Sequence, residues 1–227
     1  MNLTIIYEDK DILVCFKPAG VPTQTASLTV QDVVSMVKSY LVKKEGKASS
    51  YLGLVHRLDQ PVSGLLVLAK NKKAASLTIT KKQYYALCMG EPVEKEGELR
   101  HYLWKNPKTS MAEVVEGKKA GNNGEVKEAI LTYKIEEERS SVLGKNISLV
   151  KVSLNTGRFH QIRAQFSAIG HPLLGDLKYG TEESKQLSAA MGIKMVALCA
   201  GYLKIIHPVT KKEMEFQLTE ELLPAWV

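Results

Sequence analysis

The stretch LVHRLDQPVSGLLVLAKN, residues 54–71, places charged and titratable side chains directly before a long apolar run. The run at residues 64–69 does not alternate with polar residues, which is typical of a strand buried on both faces. The PVSG that leads into it predicts a tight loop, and binding or catalytic groups are often carried on such loops. His56, Arg57 and Asp59 are therefore predicted to lie at the mouth of a buried element, where charge is costly to place.

Asp59 allows two interpretations. Arg57, and His56 as a second cationic neighbour, would lower the pKa of this carboxyl group and keep it ionised at neutral pH. An ionised carboxylate can act as a nucleophile or as a base. The alternative is a structural ion pair that pins the loop, and the residues alone leave both open.

The composition indicates a globular protein with a moderate preference for polyanions. Hydrophobic residues make up 44% of the 227 residues, and the 31 Lys and Arg exceed the 24 Asp and Glu to give a net charge of +7. No apolar run approaches the ~20 residues that span a bilayer, and the N-terminus lacks a secretory pattern, so we expect a cytoplasmic protein. Cys15, Cys88 and Cys199 lie far apart in apolar settings and are expected to be reduced core residues.

Hydrophobic patterns predict an α+β fold, with a mixed, mostly antiparallel sheet and flanking helices and loops, in one domain of residues 1–227. Strands are predicted on either side of a turn at residues 8–11, at 54–55, 64–69, 83–90, 128–137 and 146–154, and in a final hairpin around HPVTKK. Residues 91–127 are predicted to form hairpins and surface loops, and residues 181–192 a loop or a brief helix.

Three helices are predicted from capping and periodicity. The first has a capping-box-like start at Thr29 and Asp32 and a stop at Gly46. A short one is expected within residues 71–80. In the third, which ends at Gly170, one helical face is predicted to carry Phe159, Ile162, Phe166 and Ile169.

A second informative stretch is LNTGRFHQIRAQFSAIGHPLLGDLKYG, residues 154–180. The NTG before a helix is predicted to present free backbone N–H groups to an oxyanion, with Arg158 nearby. His160 and Arg163 are three residues apart and should share a helical face. The alternative is the solvated basic face of an amphipathic helix.

Tyr84 and Tyr85 follow Lys81 and Lys82 on a predicted strand, so one ring should point inward and the other outward. An aromatic ring beside a basic group is a candidate platform for stacking a nucleobase, although plain core packing is the common alternative.

Several other chemistries lack their motifs. The HRLD stretch offers no Cys pair and no HExxH for zinc, and the chain contains no GxxxxGK[ST], GxGxxG or GxSxG. No second acid stands out as the partner that a glycosidase needs. We therefore expect no metal and no nucleotide cofactor.

Five blocks follow one another along nearly the whole chain: EDKDILVCFKPAGVPT, HRLDQPVSGLLVLAKN, KKQYYALCMG, NTGRFHQIRAQFSAIGHPLLGDLKYG and LCAGYLKIIHPVTKKEMEF. Together they resemble, in the same order, the signatures of the RluA-like family of RNA pseudouridine synthases. Val62 and Phe159 stand where that family usually has Thr. Phe16 replaces the polar residue that is common before its KPAG.

The resemblance implies a function and a set of roles. The chain would be an isomerase with the pseudouridine synthase catalytic fold, converting specific uridines of rRNA or tRNA to pseudouridine without cofactor or metal. Asp59 aligns with the essential aspartate, Tyr84 with the tyrosine that stacks on the flipped-out base, and Arg163 with the arginine that pairs with the aspartate. The alternative function is an RNA-binding or RNA-folding module whose catalysis is secondary or lost.

RNA binding would also need phosphate contacts. We expect a cationic surface, made by Lys17, Arg57, Lys82, Arg158 and His160, to offset the cost of flipping the base, and His56 to contact the substrate. The sequence starts directly at the catalytic region, without the N-terminal RNA-binding domain of many relatives, so we expect the core to supply its own RNA contacts. A monomer is the default expectation.

Overall fold

The computed structural model describes residues 3–27, 29–46, 51–117 and 125–227. They form two compact units, with Met1–Lys82 and Cys199–Leu223 in unit 1, and Gln83–Leu198 and Pro224–Val227 in unit 2. The α+β class predicted from the sequence is confirmed. One catalytic domain over residues 1–227 stays a prediction, and residues 118–124 of the predicted loop region lie outside the described residues.

The strands, in chain order, are β1 (Thr4–Glu8), β2 (Ile12–Lys17), β3 (Gly53–Leu54), β4 (Ser63–Ala69), β5 (Thr78–Met89), β6 (Glu96–Asn106), β7 (Met111–Val115), β8 (Val126–Ser140), β9 (Asn146–Leu154), β10 (Leu198–Ile206) and β11 (Glu213–Gln217). The helices are α1 (Val33–Glu45), α2 (Gln161–Ala168) and α3 (Glu182–Ala190). Two single 3-10 turns cover Ala74–Ser76 and Glu220–Leu222. Strand β5 therefore begins within the region that was predicted to be a short helix.

In unit 1, β2 pairs antiparallel with β1 and β4, and β10 pairs antiparallel with β11. Strand β10 runs parallel to β4, which makes this sheet mixed. Every residue of β4 is buried, as its unbroken apolar sequence predicts. Gly64 allows the two parallel strands to approach, because a Cβ at its φ of +126° would lie 2.4 Å from the carbonyl oxygen of Ala200.

In unit 2, the strand order is β5-β9-β8-β6-β7, and each neighbouring pair is antiparallel. One core cluster joins β5 and β9 to α3 and is made by Leu87, Ile147, Leu149, Leu174, Leu187 and Ala197. The three cysteines of the chain are buried free thiols, as predicted, and burial raises the pKa of each. No helix in the described part of the chain is long and apolar enough to span a membrane.

Helix α1 begins three residues later than the predicted Thr29 start. Asp32 is itself the N-cap: its carboxylate accepts from the backbone N–H of Ser35 at 2.7 Å, and the Ser35 hydroxyl accepts from the backbone of Asp32. The carboxylate also accepts from the N–H of Thr25 at 2.7 Å, which fixes the preceding loop. Gly46, at φ 66°, ends the helix as predicted.

Helix α2 also begins later than its hydrophobic periodicity predicts. His160 adopts φ 51°, in the left-handed region, and this residue separates Phe159 from the helix. Ile162 and Phe166 are buried as predicted, but Phe159 is 39% exposed. Placing Phe159 on the buried helical face was therefore wrong, because the backbone turns before the helix starts.

Candidate active site

The Asp59 turn in unit 1 is held by a threonine hydroxyl on its N-terminal side. The hydroxyl of Thr23 donates to the carbonyl of Leu58 at 2.8 Å and accepts from the N–H of the same residue at 3.2 Å. Both residues are buried. The N–H of Val62 donates to the carbonyl of Asp59 at 3.0 Å and closes the turn. These bonds restrict the backbone on which the Asp59 carboxylate is carried.

Lys17 holds the other side of the same turn. Its ammonium donates to the carbonyls of Pro18, Val21 and Gln60 at 3.0, 2.7 and 3.0 Å. One buried cation thereby joins both ends of the KPAG loop to the residue after Asp59. A further bond runs from the N–H of Gly20 to the carbonyl of Gln60 at 2.9 Å.

The expectation that Lys17 belongs to an exposed cationic surface is wrong. The residue is fully buried, and its ammonium protons have carbonyl acceptors. Burial lowers the pKa of Lys17 to about 8, and the negative charge of Asp59 opposes that shift. Lys17 is therefore still largely protonated at neutral pH and is electrostatically coupled to Asp59.

His56 is a neutral group rather than a cationic neighbour of Asp59. Burial, together with the charge of Lys82, lowers the pKa of His56 to about 3. Its Nε2 accepts from the N–H of Val67 at 3.1 Å, so the proton of the neutral ring is on Nδ1. That nitrogen is buried and has no hydrogen-bond partner within the described residues. The predicted second positive charge is lost because the ring is desolvated.

Lys82 and Arg57 remain as cations around the Asp59 loop in unit 1. Lys82 is partly buried, which lowers its pKa, and it is close enough to influence the titration of His56. Arg57 is exposed, as a residue that contacts phosphates should be. The structure therefore brings together Lys17, His56, Arg57 and Lys82 with Asp59 within one unit.

Arg163 lies in unit 2, where it forms a two-pronged ion pair with Asp176. Its Nε donates to Oδ2 at 2.7 Å and its Nη2 to Oδ1 at 2.8 Å, and both side chains are buried. The guanidinium also lies over the ring of Tyr179, 5.1 Å from its centroid. Sequence reasoning assigned no role to Asp176 or Tyr179, although both belong to the quoted GD and YG of residues 154–180. The pairing of Arg163 with Asp59 stays a prediction.

Tyr179 connects His160 to Arg163. Its hydroxyl accepts from the N–H of Ala112 at 2.6 Å, so its proton is available for Nδ1 of His160 at 2.9 Å. The prediction that His160 and Arg163 share a helical face was wrong, because His160 lies before the helix at φ 51°. The two side chains nevertheless both contact Tyr179.

Three backbone N–H groups at the predicted oxyanion cradle before α2 are not free. The N–H groups of Asn155 and Thr156 both donate to the carbonyl of Ile130 at 3.1 Å. The N–H of Arg158 donates to Oε1 of Gln161 at 2.9 Å. These donors are already used within the protein. The Arg158 guanidinium is nevertheless exposed, with Nε donating to the carbonyl of Glu128 at 2.9 Å.

Tyr84 and Tyr85 point to opposite faces of β5, as strand alternation requires, but neither ring is freely exposed. Tyr84 is buried. Tyr85 packs against the core cluster that contains Leu87 and Leu149. Tyr84 is therefore the inward ring and Tyr85 the more exposed one, as alternation predicts. Base stacking on Tyr84 stays a prediction.

Among the described residues, Asp9, Asp11 and His207 of unit 1 have the spacing of metal ligands. Nδ1 of His207 accepts from the N–H groups of Val209 and Thr210 at 3.3 and 3.0 Å, so Nε2 carries the proton and donates to Asp9 at 3.0 Å. A protonated Nε2 cannot coordinate a metal ion. The group is instead a hydrogen-bonded clamp between two turns.

The sequence matches a family model described as RNA pseudouridylate synthase over residues 11–168. It is 33% identical to the ribosomal large subunit pseudouridine synthase D of Zymomonas mobilis, over 94% of this chain and 68% of that protein. It is 32% identical to the dual-specificity RNA pseudouridine synthase RluA of Vibrio parahaemolyticus, over 90% of this chain and 78% of that protein.

The fold is similar to a solved human structure, RNA Pseudouridylate Synthase Domain Containing 1. The TM-score is 0.73 at 26% identity, and the match covers 99% of this chain and 86% of the human one. The mixed, mostly antiparallel sheet with few helices is therefore shared with a pseudouridylate synthase domain.

Proposed function

The chain belongs to the RNA pseudouridylate synthase family, and from that premise we propose that Asp59 is its catalytic residue. As a member it is an isomerase that acts on uridine in RNA. The observation that carries the proposal is the double clamp on the Asp59 turn, formed by Thr23 on one side and Lys17 on the other. Buried hydrogen bonds of this kind fix a reactive group in advance of the reaction.

The reaction breaks the bond between N1 of uracil and C1′ of ribose, turns the base, and joins C5 to C1′. The C5 proton is lost and N1 gains a proton, so atoms and charge balance without a cofactor. Asp59 would begin the cleavage, either by adding to the substrate as a nucleophile or by removing a sugar proton as a base. Both routes require a carboxylate that is ionised and held in place.

The remaining site residues would bind the substrate. Exposed Arg57 and Arg158 fit contacts with phosphates, and partly buried Lys82 and His160 fit contacts closer to the nucleotide. The unpartnered Nδ1–H of His56 makes it a neutral donor. Tyr84 would stack on the base, and Arg163 would face the Asp59 carboxylate during catalysis.

The relatives suggest the substrate. One is named for the large ribosomal subunit and another for dual specificity. We infer that large-subunit rRNA is the first substrate to test, with tRNA as the second. The chain would act as a monomer in the cytoplasm.

Release of tritium from RNA labelled at C5 of uridine tests the role of Asp59. The wild type should release tritium from large-subunit rRNA transcripts, and Asp59→Asn should lose at least about a thousandfold in rate with unchanged folding. Glu91→Gln, an exposed acid between β5 and β6 in unit 2, is the matched control and should match the wild type. Turnover by Asp59→Asn would refute the assignment, and RNA binding by the wild type without release would indicate an RNA-binding module.

A further inference from the structure

Phe159 and His160 form a partly exposed aromatic stack in unit 2. The two ring centroids lie 3.7 Å apart, with an angle of 21° between the ring planes. Phe159 is 39% exposed, although an aromatic ring of this size usually contributes its area to a core. An exposed ring that is already stacked on one face is a suitable support for another flat group.

The stack is held in one position by buried groups. His160 is kept in the left-handed region at φ 51°, which is strained for a residue other than glycine. Its Nδ1 is bonded to the hydroxyl of Tyr179, which is in turn fixed by the N–H of Ala112. Backbone strain that surrounding contacts maintain is often found at binding sites.

Two cations accompany the stack. The ammonium of Lys105 lies 4.7 Å from the centroid of Phe159. Because His160 covers one face of that ring at 3.7 Å, Lys105 lies over the opposite face. Lys105 is exposed, so the long side chain can leave the ring without breaking a core contact. Arg158 precedes Phe159, and within the part of the chain that the structure describes its guanidinium is bonded through Nε, which leaves the two terminal nitrogens available.

We propose that Phe159 is a stacking platform for an RNA base, and therefore a residue that helps this enzyme select its substrate. A base would replace Lys105 on the face of Phe159 that lies opposite His160. The freed ammonium and Arg158 would then contact the neighbouring phosphates. An aromatic ring flanked by cations is the arrangement that binds single-stranded nucleic acid, and base stacking is stronger than an exposed cation–π contact. The inference rests on RNA being the substrate and not on the role proposed for Asp59.

Binding of a short oligouridylate at low salt tests the platform. Phe159→Leu removes the aromatic face and should weaken binding by about tenfold. Leucine keeps an apolar side chain at this partly exposed position, so the melting temperature should change little. Phe159→Tyr should bind like the wild type. Val142→Ala, which changes an exposed apolar residue elsewhere in unit 2, is the control and should also bind like the wild type.

Inorganic polyphosphate separates stacking from charge, because it has the backbone charge without bases. Phe159→Leu should bind polyphosphate as well as the wild type, whereas Arg158→Met should lose affinity for both probes. A Trp placed at this position, Phe159→Trp, should be quenched by oligouridylate and not by polyphosphate. Equal loss for both probes in Phe159→Leu, absence of quenching at saturation, or no saturable binding of oligouridylate would each overturn the proposal.

Discussion

The Asp59 loop of unit 1 and the Arg163 cluster of unit 2 each bury a cation but give it different acceptors. Near Asp59, buried Lys17 donates to backbone carbonyls, and the hydroxyl of Thr23 adds a second restraint on the backbone. In the Arg163 cluster, the buried cation is paired with a buried carboxylate. The first arrangement fixes the backbone that carries the Asp59 carboxylate, and the second fixes the direction of a guanidinium. Substitutions in the two regions should therefore differ in whether they reduce stability or activity.

The largest loss of stability is expected from Asp176→Asn. This change removes the buried carboxylate that pairs with Arg163 and that also accepts from the N–H groups of Lys178 and Tyr179, which should lower the free energy of unfolding by about 3–5 kcal/mol. Urea denaturation measures it. Glu182→Gln breaks an exposed pair with Lys185 and is the control, for which no measurable change is expected. A loss for Asp176→Asn no larger than that of the control would show that unit 2 does not depend on the buried pair.

Acid should destabilise the Asp59 loop through His56. Its folded pKa of about 3 lies below the ordinary value of 6.5, so below pH 6.5 the unfolded chain binds a proton that the folded chain does not. The contribution of the neutral His56 ring to the free energy of unfolding is therefore fully present above pH 6.5, and it is lost as the pH falls toward 3. Between pH 7 and pH 5 the wild type should lose about 2 kcal/mol more than His56→Gln. Parallel losses in the two proteins would contradict a buried neutral histidine.

A smaller loss of stability, accompanied by a loss of activity, is expected from Thr23→Val. The change keeps the side-chain shape but leaves the buried N–H and carbonyl of Leu58 without the hydroxyl, at a cost of about 1 kcal/mol. Because the turn beside Asp59 loosens, kcat should fall roughly tenfold with KM unchanged. Steady-state kinetics of tritium release measures this. Thr29→Val, at an exposed position, is the control and should have wild-type kinetics. A rise in KM for Thr23→Val with kcat unchanged would show that Thr23 does not position the turn that carries Asp59.

Arg57→Met should leave stability unchanged and act on RNA binding alone. Loss of one phosphate contact should weaken binding and reduce the slope of log affinity against log salt by about 0.7–0.9. Titrations at several salt concentrations measure that slope. Lys194→Met, another exposed cation, is the control. Identical slopes for the two variants would remove Arg57 from the RNA interface.

The sequence predicted best what local patterns determine. The unbroken apolar run at residues 64–69 predicted the buried strand β4. Strand alternation predicted the opposite directions of Tyr84 and Tyr85. The PVSG of residues 61–64 predicted the tight loop that carries Asp59. These features depend on neighbours within a few residues, so their physical causes can be seen in the sequence.

Contacts between distant segments were not predictable in this way. Lys17 looked like a surface cation, because nothing in its neighbours shows that the carbonyl of Gln60 will meet it 43 residues later. The pairing of Arg163 with Asp176 also depends on the fold. Phe159 fitted a helical period that the left-handed conformation of His160 interrupts, and no local signal marks that conformation.

A crystal structure of the protein with RNA that contains 5-fluorouridine at its target position tests the central claim most directly. Fluorine cannot leave C5 as a proton does, so the reaction should stop with the nucleotide in the site. We expect the base to be flipped out, a carboxylate oxygen of Asp59 within about 3.5 Å of the ribose or base, and the Arg163 guanidinium facing the same carboxylate. A bound nucleotide that lies against other residues, with Asp59 and Arg163 in no shared cavity, would contradict the account.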